Sequence, residues 1–559
     1  MSSSEKKSTF FGGAAILAVG SIIVKLIGAV YKIPLMNILS DGAYADFNAA
    51  YNVYSLFLII STAGLPVALS KTISEANTLG RQNQVRRVFS VAIKTFLVLG
   101  LASFIVMFFF GGPIASLVGD PAAIYCVKAL SPSVLCVCVM SAFRGYYQGH
   151  SNMVPTAVSQ IIEALGKLFV GLALAYLVFQ LLKGQSESYR QQMAAAGAIL
   201  GVSVGSVVAL CFIVSHYLRE RRRLGERRYS DRPDGSGDIF ANILKLAIPI
   251  TLGSAAISIV TLIDTSVVFS LLKKMFTDMP ELITDAAKAQ AAAANGIDPV
   301  LYMARSLKGI YDKCMAIYNL PSQLMVAITV SVIPAVSACL ARHDRRGASQ
   351  VSESSLRVGV LFAFPMGFGL CALGGPIMGL LAKGIDVSVA GPIMSVLGIA
   401  TIFVCLMLIC NSILQAHGFV NLPVFTVIIG GVIKVAVNYL LVGNYDINVK
   451  GAPVGTLCCF AVVSVLDLWF IHRVIPLPPR YSRVFFKPLI AAAAMGGAVW
   501  ACYGLLFKLL HSNTVATLGS IVVGVAVYAV LVILLKAISK DDLALMPKGD
   551  KIGKLLHII

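Results

Sequence analysis

The residues in this chain that could do chemistry are lysines and aspartates set inside apolar segments. Lys25 lies within the first long apolar run, with Lys32 near its end, and Asp46 opens the second. Asp264 sits in the body of the seventh, and Asp312 and Lys313 are adjacent in the outer part of the eighth. An ionisable group placed at the centre of a bilayer costs about 2.5–3.5 kcal/mol on insertion scales, so such groups face a cavity or a partner. Lys25 and Lys313 therefore read as cavity-facing cations, or as lysines that snorkel or pair internally. Asp264 reads as a cation or proton site, or as a buried hydrogen-bond acceptor. Lys94, Lys167, Lys434 and Asp467 read as structural, placed where long side chains reach headgroups, and Glu163 is open between the two. A cavity lined with cations in a low dielectric prefers anions, and lysine holds phosphate as a point charge. This is the chemistry of holding rather than of bond-making. The chain has no GxxxxGK[ST] phosphate loop, and no spacing of Ser, His and acidic residues suggests a nucleophilic triad. It reads as no enzyme, with no catalytic residues and no metal. The 12 cysteines lie almost entirely within apolar segments and read as packing filler.

The elements that must position these residues are membrane helices. The chain has 559 residues, 58% hydrophobic and 13% charged, where a soluble domain carries roughly 25% charged. Apolar runs long enough to cross a bilayer recur about fourteen times, the seventh at Ile239–Leu272 and the eighth at Ile310–Leu340. Alternate loops are basic: Arg81, Arg86 and Arg87, then Arg219 to Arg228, then Arg342 to Arg346, then Arg473 to Lys487 and the final tail. This pattern predicts that both termini are cytoplasmic. It also assigns the net charge of +19 to topology and anionic lipid rather than to nucleic acid. The Ala-rich stretch in the loop Lys273–Arg305 reads as a surface helix or a flexible insert.

The sequence also repeats itself. Asp46, Tyr51-Asn52 and Pro66 recur as Asp312, Tyr318-Asn319 and Pro334, at offsets of 266, 267 and 268 residues. Gln148-Gly149-His150, Pro155 and Lys167 recur as Gln415-Ala416-His417, Pro423 and Lys434, at offsets of 267 and 268. Six spans per half keep the same orientation, which predicts a parallel repeat of two six-helix lobes. The expected all-α architecture is an N-terminal lobe (1–218), a basic cytoplasmic linker (219–238), a C-terminal lobe (239–474), and two extra helices with a basic tail (475–559).

Four stretches carry a resemblance: KLIGAVYKIPL from Lys25, YNVYSLFLIISTAGLPVALSK from Tyr51, RGYYQGHSNMVPTAVSQIIE from Arg144 and AIPITLGSAAISIVTLID from Ala247. The chain resembles the polysaccharide-exporter and flippase members of the multidrug/oligosaccharidyl-lipid/polysaccharide superfamily. Within it, the chain is most similar to the branch holding stage V sporulation protein B and the MurJ-type lipid II flippases. The resemblance implies a fourteen-helix, two-lobed flippase of the bacterial cytoplasmic membrane that moves undecaprenyl-diphosphate-linked glycans, lipid II foremost, by alternating access. By the same resemblance the diphosphate falls to Lys25 and Lys313, where such relatives usually carry Arg, with Lys32, Asp46, Asn52 and Asp312 completing the substrate cavity. It further implies a coupling cation, Na+ or H+, at Asp264, Asn438 and Thr456, although Val442 stands where another carboxylate is expected. No other cofactor is expected. The implied partners are the lipid-linked glycan, the bilayer and proteins of cell-wall synthesis, with no nucleic acid. The alternative on the same general fold is a cation-coupled MATE-type multidrug exporter.

Overall fold

The structure is a computed structural model, and it describes residues 3–118, 120–224, 229–285 and 298–535, with the isolated positions 288, 291, 292 and 537. Most of the Ala-rich stretch and the basic C-terminal tail lie outside the described residues. Among the described residues every regular element is helical. The chain divides by packing into two units, Met1–Gly309 and Ile310–Ile559.

The first unit holds α1 (Ser3–Ile38), α2 (Asp41–Thr62), α3 (Leu65–Thr78), α4 (Gln82–Phe109), α5 (Gly111–Leu117), α6 (Ile124–Gly149), α7 (Val154–Leu181), α8 (Glu187–Leu224) and α9 (Ser236–Asp278). It also takes the opening turns of α10 (Pro299–Ala341). The helix α9, which the repeat assigns to the second lobe, packs on α2, α3 and α4. Its tight approach to the α2–α3 break is possible because position 64 has no side chain: a Cβ on Gly64 would lie 2.1 Å from the Ala247 carbonyl oxygen. Pro66 then opens α3, where its missing N–H is harmless.

The most extensive helix contact in this unit joins α7 to α8. Gly197, Gly201 and Gly205 recur every four residues on α8, and Gly166 and Gly171 face them from α7. A Cβ on Gly201 would come 2.1 Å from Gly171 Cα, and one on Gly166 would come 2.4 Å from Gly205 Cα. Small residues let membrane helix backbones approach in this way, with dispersion and close packing replacing the hydrophobic effect.

The second unit continues α10 and adds α11 (Arg345–Ala372), α12 (Gly374–Leu381), α13 (Val387–Ala416), α14 (Asn421–Val442), α15 (Ala452–Val474), α16 (Tyr481–Leu510) and α17 (Asn513–Leu534). α16 packs on α11, and α17 packs on α16. Tyr528 of α17 ties the pair to α11 by donating to the Leu361 carbonyl at 2.8 Å.

Among the described residues, twelve segments are long and apolar enough to cross a membrane: α1, α2 with α3, α4, α6 to α8, α11 and α13 to α17. The other two predicted spans fall on α9 and α10, of 43 residues each. The protein is a multi-pass, all-helical membrane protein.

The duplication is visible in the local structure of each unit. A 28-residue helix, a short helix opening with Gly-Gly-Pro-Ile and a Pro-containing long helix follow one another as α4–α5–α6 and as α11–α12–α13. Asp120 caps the turn before α6 by accepting from the Ala122 N–H, and Asp386 caps α13 by accepting from the Ser388 N–H. At the far ends, His150 and His417 each meet the carbonyl four residues back at 2.9 Å through Nδ1. Each histidine is followed by a left-handed residue, Ser151 at φ 59° and Gly418 at φ 90°.

Candidate functional site

In the first unit the inner face of α2 is an aromatic ladder. Tyr44, Phe47, Tyr51 and Tyr54 follow at helical spacing, with ring centroids 6.0, 6.0 and 5.7 Å apart along the series. Tyr31 of α1 joins at Phe47, 6.3 Å away. Tyr54 and Tyr31 are fully buried, and their hydroxyls are satisfied by Ser133 at 3.2 Å and by the Ala198 carbonyl at 3.3 Å.

Lys167 projects onto this ladder from the middle of α7. Its ammonium lies 4.3 Å from the Tyr51 ring centroid and 4.9 Å from that of Tyr31, and donates to the Tyr51 hydroxyl at 3.3 Å. The expectation that Lys167 reaches for headgroups is therefore corrected: it is a cation held inward by two aromatic faces. Glu163, one turn earlier, accepts from Arg144 at 3.0 Å, so both are spoken for. Lys25 is half-buried on α1 and, among the described residues, makes no hydrogen bond or ion pair. Lys32 is half-buried and engaged within the fold. Asn52 donates to Thr265 of α9 at 3.0 Å, beside the buried Asp264, whose side chain is also engaged.

Asp46 does not stand open at the end of α2. It is wholly buried and bound in a fork by Arg305 of α10, with Arg305 Nε 3.1 Å from Asp46 Oδ1 and Nη2 on Oδ2. Arg305 Nε also lies 3.6 Å from Asp120 Oδ1. All three side chains are at most 7% exposed. α10 can come this near because Gly309 presents only hydrogen to the Asp41 carbonyl. Sequence reasoning missed Arg305, which reads as the end of an outer loop, and Asp120, which reads as a turn residue. The usable signal was the one arginine between Arg232 and Arg342, set just ahead of a span among lysines.

In the second unit Asp312 and Lys313 are buried and engaged within the fold. Asn438 and Thr456 are wholly buried, on α14 and α15. Gly455, the residue before Thr456, lets Asn438 approach α15: a Cβ there would lie 2.1 Å from the Asn438 side-chain oxygen. The Thr456 hydroxyl meets Tyr311 Oη at 3.2 Å and the Ala452 carbonyl at 3.3 Å. Lys434 is buried and engaged, and Asp467 accepts from Thr426 at 2.8 Å. Asp467 faces inward rather than serving a helix end. Asp264 belongs to the first unit, and Asn438 and Thr456 belong to the second. Among the described residues, no group of three or more His, Cys, Asp or Glu is placed to hold a metal ion.

Residues 10–340 match the family model for polysaccharide biosynthesis proteins, and residues 308–541 match that for the lipid II flippase MurJ. The chain is 24% identical to the Bacillus subtilis membrane protein YabM over 99% of this chain and 97% of that protein. It is 23% identical to the lipid II flippase MurJ of the same organism, over 88% of each. Among solved structures, the inward closed conformation of the lipid II flippase MurJ superposes with a TM-score of 0.67 at 15% identity, covering 92% of this chain and 98% of that one. The MurJ proteins among these are flippases, transporters rather than enzymes. The chain belongs to the polysaccharide biosynthesis protein family, within the multidrug/oligosaccharidyl-lipid/polysaccharide flippase superfamily.

Proposed function

We propose that this protein moves a lipid-linked glycan across the bacterial cytoplasmic membrane by alternating access, carrying it by its undecaprenyl-diphosphate headgroup, with lipid II as the foremost substrate. The observation that carries this reading is the inward-facing cation on the first unit's aromatic ladder. Lys167 is held at the middle of its helix by Tyr31 and Tyr51, and Lys25 on the neighbouring helix has no hydrogen bond or ion pair among the described residues. Ammonium groups withdrawn from bulk water attract a diphosphate strongly, and the half-buried Tyr51 ring beside Lys167 suits a sugar ring plane. The second unit holds a buried cation of its own, Lys313. The likeness to MurJ in sequence and fold supports the same substrate class. Both termini are read as cytoplasmic, from the alternation of basic loops.

The test is reconstitution of the full chain in liposomes with fluorescent lipid II and a membrane-impermeant quencher. Transport that requires Lys25 and Lys167 supports the reading. Efflux of cationic dyes without movement of lipid II would replace it with the multidrug exporter reading.

A further inference from the structure

We propose that the buried cluster of Asp46, Asp120 and Arg305 is a proton-binding site, in which the two carboxyl groups share one proton against a single guanidinium. The count of charges is the starting point. Arg305 commits Nε and Nη2 to its fork on Asp46, and its approach to Asp120, at 3.6 Å, is looser. The two carboxyl groups converge on the same nitrogen, with Asp46 Oδ1 3.1 Å and Asp120 Oδ1 3.6 Å from Arg305 Nε. Asp120 Oδ2 is buried and, among the described residues, has no hydrogen-bond donor. Two adjacent carboxylates do not both stay ionised away from water, and one positive charge is missing here. A proton supplies that charge and a donor in the space of a hydrogen atom, whereas a hard metal cation would require several more oxygen ligands than the cluster presents. The other titratable group facing the cluster is the buried Cys126 thiol of α6, which brings no positive charge.

The internal repeat separates this role from helix capping. Asp386, the counterpart of Asp120, makes the same cap contact in the second unit while exposed to solvent. Capping therefore requires the carboxylate but not its burial against a second acid. In the first unit the same turn is buried, and Asp46 and Arg305 are brought to it by α2 and α10. The site differs from the Asp264, Asn438 and Thr456 set and shares no residue with it.

The experiment uses the purified full-length protein in detergent and measures thermal unfolding between about pH 6 and pH 9, with sodium or choline as the only cation. The native state then holds one more proton than the unfolded chain, so stability must fall as pH rises. The expected result is a midpoint that falls by several degrees across that window in the wild type, unchanged by sodium. Asp120→Asn keeps the cap and the shape, and is expected to lose the pH slope and to be at least as stable as the wild type at the alkaline end. The proposal is overturned if Asp120→Asn keeps the wild-type slope, if it is less stable by the same amount at every pH, or if sodium rescues the wild type at alkaline pH. Should Asp120→Asn not fold, infrared spectra of the wild type and of Asp46→Asn read the same property. A protonated-carboxyl band present at neutral pH in the wild type and lost in Asp46→Asn supports the site, and an unchanged band overturns it. The readout is stability rather than transport, so its outcome is independent of the substrate reading.

Discussion

Replacing Arg305 by Met probes the strongest electrostatic element in the first unit. The substitution keeps the volume and most of the aliphatic stem and removes the guanidinium. It deprives Asp46 of both hydrogen bonds and leaves Asp120 with only its cap contact. Asp46 is fully buried and Asp120 is 3% exposed, so water cannot take over. Breaking a buried pair by removing one partner costs about 3–5 kcal/mol, because the charge left behind is uncompensated. That corresponds to roughly two to three and a half orders of magnitude in the folded-to-unfolded ratio. Denaturant unfolding of the purified protein, with wild type, Arg305→Met, Asp46→Asn and the double variant, forms a double-mutant cycle. The double variant is expected to recover much of the loss, because neutralising Asp46 removes the stranded charge. A cost under about 1 kcal/mol, as for solvent-exposed pairs, would refute the reasoning that this cluster is desolvated.

Gly201→Val places side-chain atoms where the α7 backbone already lies; it is expected to destabilise by about 1–3 kcal/mol or to abolish folding, read as lost monodisperse protein in detergent. Asp386→Ala removes the α13 cap and is expected to cost about 1 kcal/mol near neutral pH. The Ser388 hydroxyl bonded to Asp386 holds its carboxyl below the usual range. Its stabilisation is thus present above the unfolded pKa and fades as pH falls through the folded one, so the variant and wild type converge on acidification. The linker before α9 is folded back on the start of α4: Asp231 accepts from the Asn83 and Gln84 N–H groups at 3.0 and 2.9 Å, and Asp234 accepts from Arg81 at 2.8 Å. Asp231→Ala is expected to free this segment, read as faster cleavage there by a protease in sealed inside-out vesicles.

How much of this was legible in the sequence depended on whether the signal lay along the chain or across it. The spans and the duplication lie along it: long apolar runs, basic loops and the recurrent histidine turn leave their mark at fixed spacing, and the His150 and His417 turns have the same hydrogen bond. Which way a side chain points from a helix lies across it. Lys167 looked like a residue serving a helix end, because an apolar run does not show its own true boundaries; α7 places it at the centre, against Tyr31 and Tyr51. Asp46 was visible as an acid at the start of a span, but its partner lies 259 residues away, beyond any local pattern. The linker looked like a free joint because its residues are polar, yet its aspartates cap a helix that precedes it by more than 140 positions.

The account stands or falls on cations that hold a lipid diphosphate. The most direct measurement is the rate at which fluorescent lipid II crosses liposomes containing the full chain, compared among wild type, Lys25→Ala and Lys167→Met. Each ammonium is expected to be worth at least one charged hydrogen bond, so each variant should lose at least about tenfold in rate while retaining its fold. Wild-type rates from both variants, or no crossing by the wild type beyond that of empty liposomes, would contradict it.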